Sequence, residues 1–157
     1  MTQGYYTGGV DMHSDTVTIF NYYEDKKKDI AYWYPTTLNN VEAQVSEGLS
    51  VIKTGNENAN SLWLSIPLIS VNNELYADGV KYLKNKRYAA SEDKSDCFTV
   101  KKNDFVVLGA YESDSVINDD DYKDGFFQYM KSTYDDVYNI NTIDEYKGIR
   151  HIEIGGR

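Results

Sequence analysis

Cysteine is almost missing from this 157-residue sequence, and the single Cys97 excludes both an intrachain disulfide framework and a cysteine-based zinc site. It lies in Cys-Phe-Thr-Val, which reads as a strand carrying a buried, inert thiol. Long apolar runs are missing too, since nothing approaches the roughly 20 residues that cross a bilayer. The opening Met-Thr-Gln-Gly-Tyr-Tyr-Thr-Gly-Gly has neither a basic stretch nor an apolar one, so the expectation is cytoplasmic synthesis and folding with no membrane partner. Basic charge is short as well. Sixteen Lys and Arg against 25 acids leave a formal net charge of −9, and phosphate neutralisation needs clustered cations, so the chain is a poor general nucleic-acid binder.

What the sequence does contain is tyrosine. Aromatics make up 14% of the chain, with 15 Tyr against five Phe and two Trp. Tyrosine suits half-buried pleated surfaces, and its apolar ring and polar tip favour protein interfaces. The length and the 41% hydrophobic content imply one core and one folded domain. Residues 1–14 are Gly- and Tyr-rich without periodicity and read as an N-terminal arm, leaving 15–157 as the domain.

Dense β-branched and aromatic residues predict a strand over Thr16–Tyr23, and a second follows at Ile30–Tyr34, where Pro35 limits further central pairing. The charged link Glu24–Asp29 makes these two a hairpin. Asn39-Asn40 is turn chemistry ahead of a third strand, Val41–Val45, and Ser61–Pro67 is a fourth with Leu62, Leu64 and Ile66 on one face. Residues 70–96 are weaker, with a short strand or helical turn at Val80–Leu83. Cys97–Val100 and Phe105–Gly109, joined by Lys-Lys-Asn-Asp, form the strongest hairpin pattern in the sequence. Apolar residues at 126, 130 and 134 predict a helix over 124–134, and strands at Val137–Ile143 and Ile149–Ile154 close the chain. The expectation is a mainly β protein, a small barrel or sandwich of about seven to eight short strands with one short helix and an extended arm.

Motifs for chemistry are sparse. His13 and His151 are the two histidines, and no Gly-x-Ser-x-Gly, His-Glu-x-x-His or P-loop pattern occurs. An EF-hand loop starting at Asp119 would place Lys123 at its fifth position, Asp124 where glycine is needed and Met130 where the bidentate Glu belongs. A solvated acidic loop is therefore the default there, with a looser Ca²⁺ site as the lesser alternative. No enzyme activity, metal or cofactor is expected. Lys81, Lys84, Lys86 and Arg87 form the local basic cluster; it reads as a solvated face or as a contact to an acidic partner or to DNA.

The order of segments carries a resemblance. Asp15-Thr-Val-Thr-Ile-Phe-Asn21 is followed by Trp33-Tyr-Pro-Thr-Thr-Leu-Asn-Asn-Val41, by Ser61-Leu-Trp-Leu-Ser-Ile-Pro67, by Phe98–Gly109 and by Arg150–Gly156. This arrangement resembles the small minor-capsid, head-closure or head–tail connector proteins of long-tailed phages and prophages of Gram-positive bacteria. Asn103-Asp104 stands where Gly-Asp is usual in that family, which still suits a turn. The resemblance implies a small β-barrel that forms a homo-oligomeric ring between a portal or adaptor protein and a tail-terminator or tail-completion protein. It places the protein in the virion at the head–tail junction, retaining packaged DNA that passes the lumen without sequence-specific binding.

On that reading the partner-interface candidates are Tyr5 and Tyr6 of the arm, Lys81, Lys84, Lys86 and Arg87, and Phe126 and Phe127. Asp119, Asp120 and Asp121 are candidates for a DNA-facing acidic loop. The rival expectation, from a different class, is an acidic anti-defence protein that mimics DNA and binds a host nuclease. It draws on the net charge and the acid density at 112–124.

Overall fold

A computed structural model describes residues 14–47, 49–52, 55–58 and 60–157. The fold is mainly β. Strands β1 (Asp15–Asp25) and β2 (Ile30–Ser46) form the expected hairpin, in register from Asp25↔Ile30 to Thr18↔Thr37. Its turn is tied by Asp25, whose Oδ1 accepts the Lys27 and Lys28 N–H groups, and Asp29 takes the left-handed conformation. Next come β3 (Leu49–Ile52) and β4 (Gly55–Asn58), a two-stranded hairpin, and then β5 (Ser61–Pro67). Residues 69–98 build a second sheet from β6 (Ile69–Val71), β7 (Glu74–Ala77), β8 (Val80–Tyr82) and β9 (Cys97–Phe98), with helix α1 (Asn85–Ala90) between the last two. The chain continues through β10 (Phe105–Leu108), β11 (Ile117–Asn118) and helix α2 (Phe126–Thr133), and ends in β12 (Val137–Tyr146) and β13 (His151–Gly156).

Six strands close into an antiparallel barrel in the order β1-β10-β12-β13-β5-β2, with β2 pairing back to β1. Closure depends on strands that change neighbours. β2 runs beside β1 as far as Val41 and beside β5 from Glu42 to Ser46. The change occurs at a bulge where Asn40 adopts a positive φ of 60°. Asn39-Asn40 is therefore a bend within one 17-residue strand, not a turn between two, and the expected third strand is the second half of β2. Pro35 also lies inside β2, opposite Phe20. Its position falls between the stretches of β2 paired to β11 and to β5, so no second neighbour there asks it for an N–H. β12 makes the corresponding switch from β10 to β13 around Asn141.

Side-chain alternation fills the barrel. Val17, Ile19, Leu38, Leu62, Leu64, Ile66, Val106, Ile140, Ile152 and Ile154 are buried in one cluster, which joins Phe98 and Val100. The opposite face of β1, β2 and β10 carries a second cluster of Phe20, Trp33, Phe105 and Val107, and α2 covers it with Phe126 and Met130. Phe20 and Phe105 stack at 4.6 Å, and Trp33 meets Phe105 edge-on at 4.9 Å. The helix is one turn shorter at its ends than its sequence pattern: Gly125 precedes it at φ 89°, Tyr134 caps it, and Tyr134 is 37% exposed.

The hairpin expected over residues 97–109 does not form. Cys97 and Phe98 pair in parallel with Lys81 and Tyr82, whereas β10 lies between β1 and β12. The Lys-Lys-Asn-Asp turn exists, with Asn103 at φ 74° and an Asp104 N–H to Lys101 carbonyl bond of 3.2 Å. The chains diverge from it because a side chain takes the place of a strand. The buried Asn21 amide donates to the Thr99 carbonyl (2.8 Å) and accepts the Thr99 N–H (3.1 Å). The same Asn21 Nδ2 donates to Asp104 Oδ2 at 2.9 Å, and the Tyr22 N–H reaches Asp104 Oδ1 at 3.1 Å. Residues 99–104 are thus sewn to β1 through polar side chains, which leaves Phe98 free to join the side sheet.

Candidate functional site

Asp119, Asp120 and Asp121 form one turn of 3-10 helix after β11. Their roles differ. Asp119 Oδ1 accepts the indole N–H of Trp33 at 2.9 Å and the N–H of Phe126, the first residue of α2, at 2.8 Å. It ties the outer aromatic cluster to the start of the helix, and its carboxylate is engaged inward. Asp120 and Asp121 are exposed, and their carboxylates make no ion pair among the described residues. They sit in an acid-rich stretch: residues 112–136 hold eight acids, from Glu112 to Asp136, against Lys123 and Lys131. Tyrosines share this face. Tyr122 and Tyr129 rings lie 4.7 Å apart, Tyr111 and Tyr134 lie 6.4 Å apart, and Tyr129 is 41% exposed. Burial and the neighbouring Tyr122, Tyr134 and Glu112 push the Tyr111 phenol up to about 12. The result is an anionic surface with aromatic rings, a composition suited to a protein contact and repulsive to phosphate. No three metal-ligating side chains converge among the described residues.

The basic cluster is largely consumed internally. Arg87 makes a two-pronged contact with Glu74 (3.0 and 3.1 Å), Lys81 reaches the same carboxylate at 3.3 Å, and Lys84 approaches Glu145 at 3.9 Å. The Arg87 fork beside Glu74 holds that carboxyl below the usual range. Lys86 is exposed without an ion pair among the described residues. This cluster staples α1 and β8 to β7. Phe126 is fully buried in the outer cluster and offers nothing to a surface, a correction to its expected place at a partner interface. Its pattern neighbour Phe127 is half-buried, against Phe105 at 5.0 Å. Tyr5 and Tyr6 lie outside the described residues.

The sequence pattern passed over an apolar groove of about 720 Å³ beside the barrel seam, lined by Val41, Ile66, Ile69, Val71, Tyr76 and Ala77 among others. Ile69 is 66% exposed and Val71 49%. Its signal in the sequence is the alternation Ile69-Ser70-Val71 after Pro67, too short to stand out from noise. His151 lies on the barrel wall, its Nε2 2.9 Å from Glu153 Oε2 and its ring stacked on Tyr146 at 4.6 Å. Glu153 Oε1 accepts the Trp63 indole N–H at 3.2 Å, so the imidazole belongs to a surface ladder across β12, β13 and β5.

These features define a class: a small six-stranded antiparallel β-barrel with a helix-capped aromatic outer cluster and a side sheet. The chain belongs to a family of unknown function, DUF6751, whose model matches residues 12–157. No curated protein and no solved structure matches it. No helix among the described residues is long and apolar enough to cross a membrane.

Proposed function

We propose that the protein is a structural subunit of a phage head–tail connector, a head-closure or adaptor component that joins portal to tail and retains packaged DNA. The observation that supports this most is where the resembling segments fall. Asp15–Asn21, Trp33–Val41, Ser61–Pro67 and Arg150–Gly156 fall on β1, β2, β5 and β13, and Phe98–Gly109 starts at the end of β9 and ends on β10, so the segments touch five of the six barrel strands. A likeness scattered over loops would carry no such architectural weight. The acid-rich, tyrosine-bearing face around Asp120, Asp121 and Tyr129 fits a ring through which DNA slides, since like charge repels the phosphates while rings supply contacts to neighbours.

The test is loss of the protein during infection. Filled heads without tails, or heads that leak DNA, are the expected phenotype, with the tagged chain found at the head–tail joint of purified particles. Changing Tyr5→Ala and Tyr6→Ala together should leave the chain folded and lower its incorporation. Normal infectious particles made without the protein would overturn the reading. Capture of a host nuclease in place of portal and tail proteins would favour the anti-defence alternative, which rests on the same acidic face.

A further inference from the structure

Two exposed patches of opposite charge lie at opposite ends of β12. At its far end the turn into β13 projects from the barrel. A Cβ added to Gly148 would meet no atom beyond its chain neighbours within 4 Å, and Ile149, 86% exposed, is the most exposed large apolar side chain among the described residues. Lys147 and Arg150 flank it, both exposed and neither in an ion pair among the described residues. The acid before the turn, Glu145, is already spent on Lys84 (3.9 Å) and the Tyr82 hydroxyl (3.2 Å). The turn is held from both sides. The Arg150 carbonyl accepts the Leu68 N–H at 3.0 Å, and His151, stacked on Tyr146, has its Nδ1 2.7 Å from the Ile149 carbonyl oxygen. Ordering this turn on binding therefore costs little.

At the near end Val137 enters the outer cluster with Phe126 and Met130, and α2 carries the acidic, tyrosine-bearing face. A hollow of about 460 Å³ opens there, lined by Tyr122, Asp124, Gln128, Tyr129 and Ser132 among others. Lys123 also lines it, and with Lys131 it is outnumbered by the eight acids of residues 112–136. Asp121 and Asp124 are exposed and make no ion pair among the described residues. Aromatic rings bordered by acids complement an apolar tip flanked by bases, in the usual order of interface core and rim. β12 separates the two patches by about 30 Å of extended strand, so no copy can seat its own tip in its own hollow.

We propose that the chain self-associates end to end, the β12–β13 turn of one copy seating Ile149 in the Tyr122–Tyr129 hollow of the next, with Lys147 and Arg150 against Asp121 and Asp124. Two different surfaces meet, so the contact is heterologous, and the rotation between copies decides whether it closes into a ring or runs on as a filament. The inference deepens the connector reading by naming the surfaces that its ring would use, and it rests on that reading only for closure. Asp121 then serves the neighbouring copy, and Asp120 is left for the lumen.

Sedimentation of the purified full-length chain tests it, at submillimolar protein and low salt, where charge is least screened. The parent should form species larger than a dimer that come apart as salt rises. Lys147→Glu plus Arg150→Glu, and separately Asp121→Lys plus Asp124→Lys, should each weaken association about tenfold or more. Their thermal melts should match the parent's, since all four side chains are exposed. Mixing the two variants should restore association, because a reversed tip then meets a reversed hollow. A parent that stays monomeric, charge variants that associate like the parent, or a mixture that does not recover overturns the proposal. A species that stops at a dimer overturns it too, since it marks a two-fold contact. Association as expected, beside normal infectious particles made without the protein, would refute the connector role alone.

Discussion

Replacing Asp119 by Ala should destabilise the fold far more than the same change at its exposed neighbours. One oxygen of Asp119 receives two donors: the indole N–H of Trp33, a residue 5% exposed, and the first N–H of α2. Losing a helix N-terminal acceptor costs about 1 kcal/mol. Leaving the indole N–H buried without a partner costs about 1–3 kcal/mol more. The sum is about 3 kcal/mol, or about 6–12 °C in Tm at the roughly 2–4 °C per kcal/mol usual for a chain of this size. Asp119→Asn retains an acceptor oxygen, and its cost should be about 1 kcal/mol. Asp120→Ala and Asp121→Ala should fall within about 0.5 kcal/mol of the parent. Thermal and urea melts followed by tryptophan emission measure all four. If Asp119→Ala melts with Asp120→Ala, the carboxylate does not hold Trp33 and α2 together, and the division of the acidic loop into one inward residue and two outward ones is wrong.

Asn21→Ala should cost about 2–4 kcal/mol, because it removes both bonds to the Thr99 backbone and one to buried Asp104; urea unfolding and faster exchange of the Thr99 amide would register it. Gly156→Ala should destabilise by about 1–3 kcal/mol, since an added Cβ would sit 2.9 Å from the Asn139 carbonyl oxygen and 3.2 Å from Tyr138 Cβ. Gly155→Ala should be milder, because the atom met first is the Thr142 hydroxyl, which can rotate away. The Glu153 carboxylate and the Ile149 carbonyl beside His151 raise its pKa above the ordinary value of 6.5. Its small contribution to stability is therefore complete below that value and fades as pH rises through the shifted one. An NMR titration should show the raised midpoint, and Glu153→Gln should bring it back toward normal.

Much of the fold was legible because its patterns are local. The β-branched run Thr16–Tyr23 and the spacing of Phe126, Met130 and Tyr134 each name their element, and the one-sided Leu62, Leu64 and Ile66 name a buried face as well. The same logic failed where a distant group overruled a local one. Pro35 looked like a strand end, yet it sits at the stretch of β2 without a second neighbour, so its missing N–H costs no ladder bond. Phe98 and Phe105 looked like the two arms of a hairpin. Asn21, some 78 residues from Thr99 in sequence, supplies that segment's backbone bonds and frees the arms to join different sheets.

The candidate surfaces divide in the same way. The acid-rich composition of 112–136 and the wealth of tyrosine belong to the sequence by itself, since exposure follows from charge density. Which aspartate points inward, which basic residues are spent on Glu74, and that Phe126 is core depend on partners far away along the chain. The groove between β2, β5 and β6 is wholly a product of closure. Its walls are ordinary strand residues, and it opens because the barrel must bend β2 at Asn40 to complete its ring of hydrogen bonds. The sequence determined a mainly β chain with an acidic, tyrosine-bearing face; tertiary structure alone decided where its surface stays unfilled.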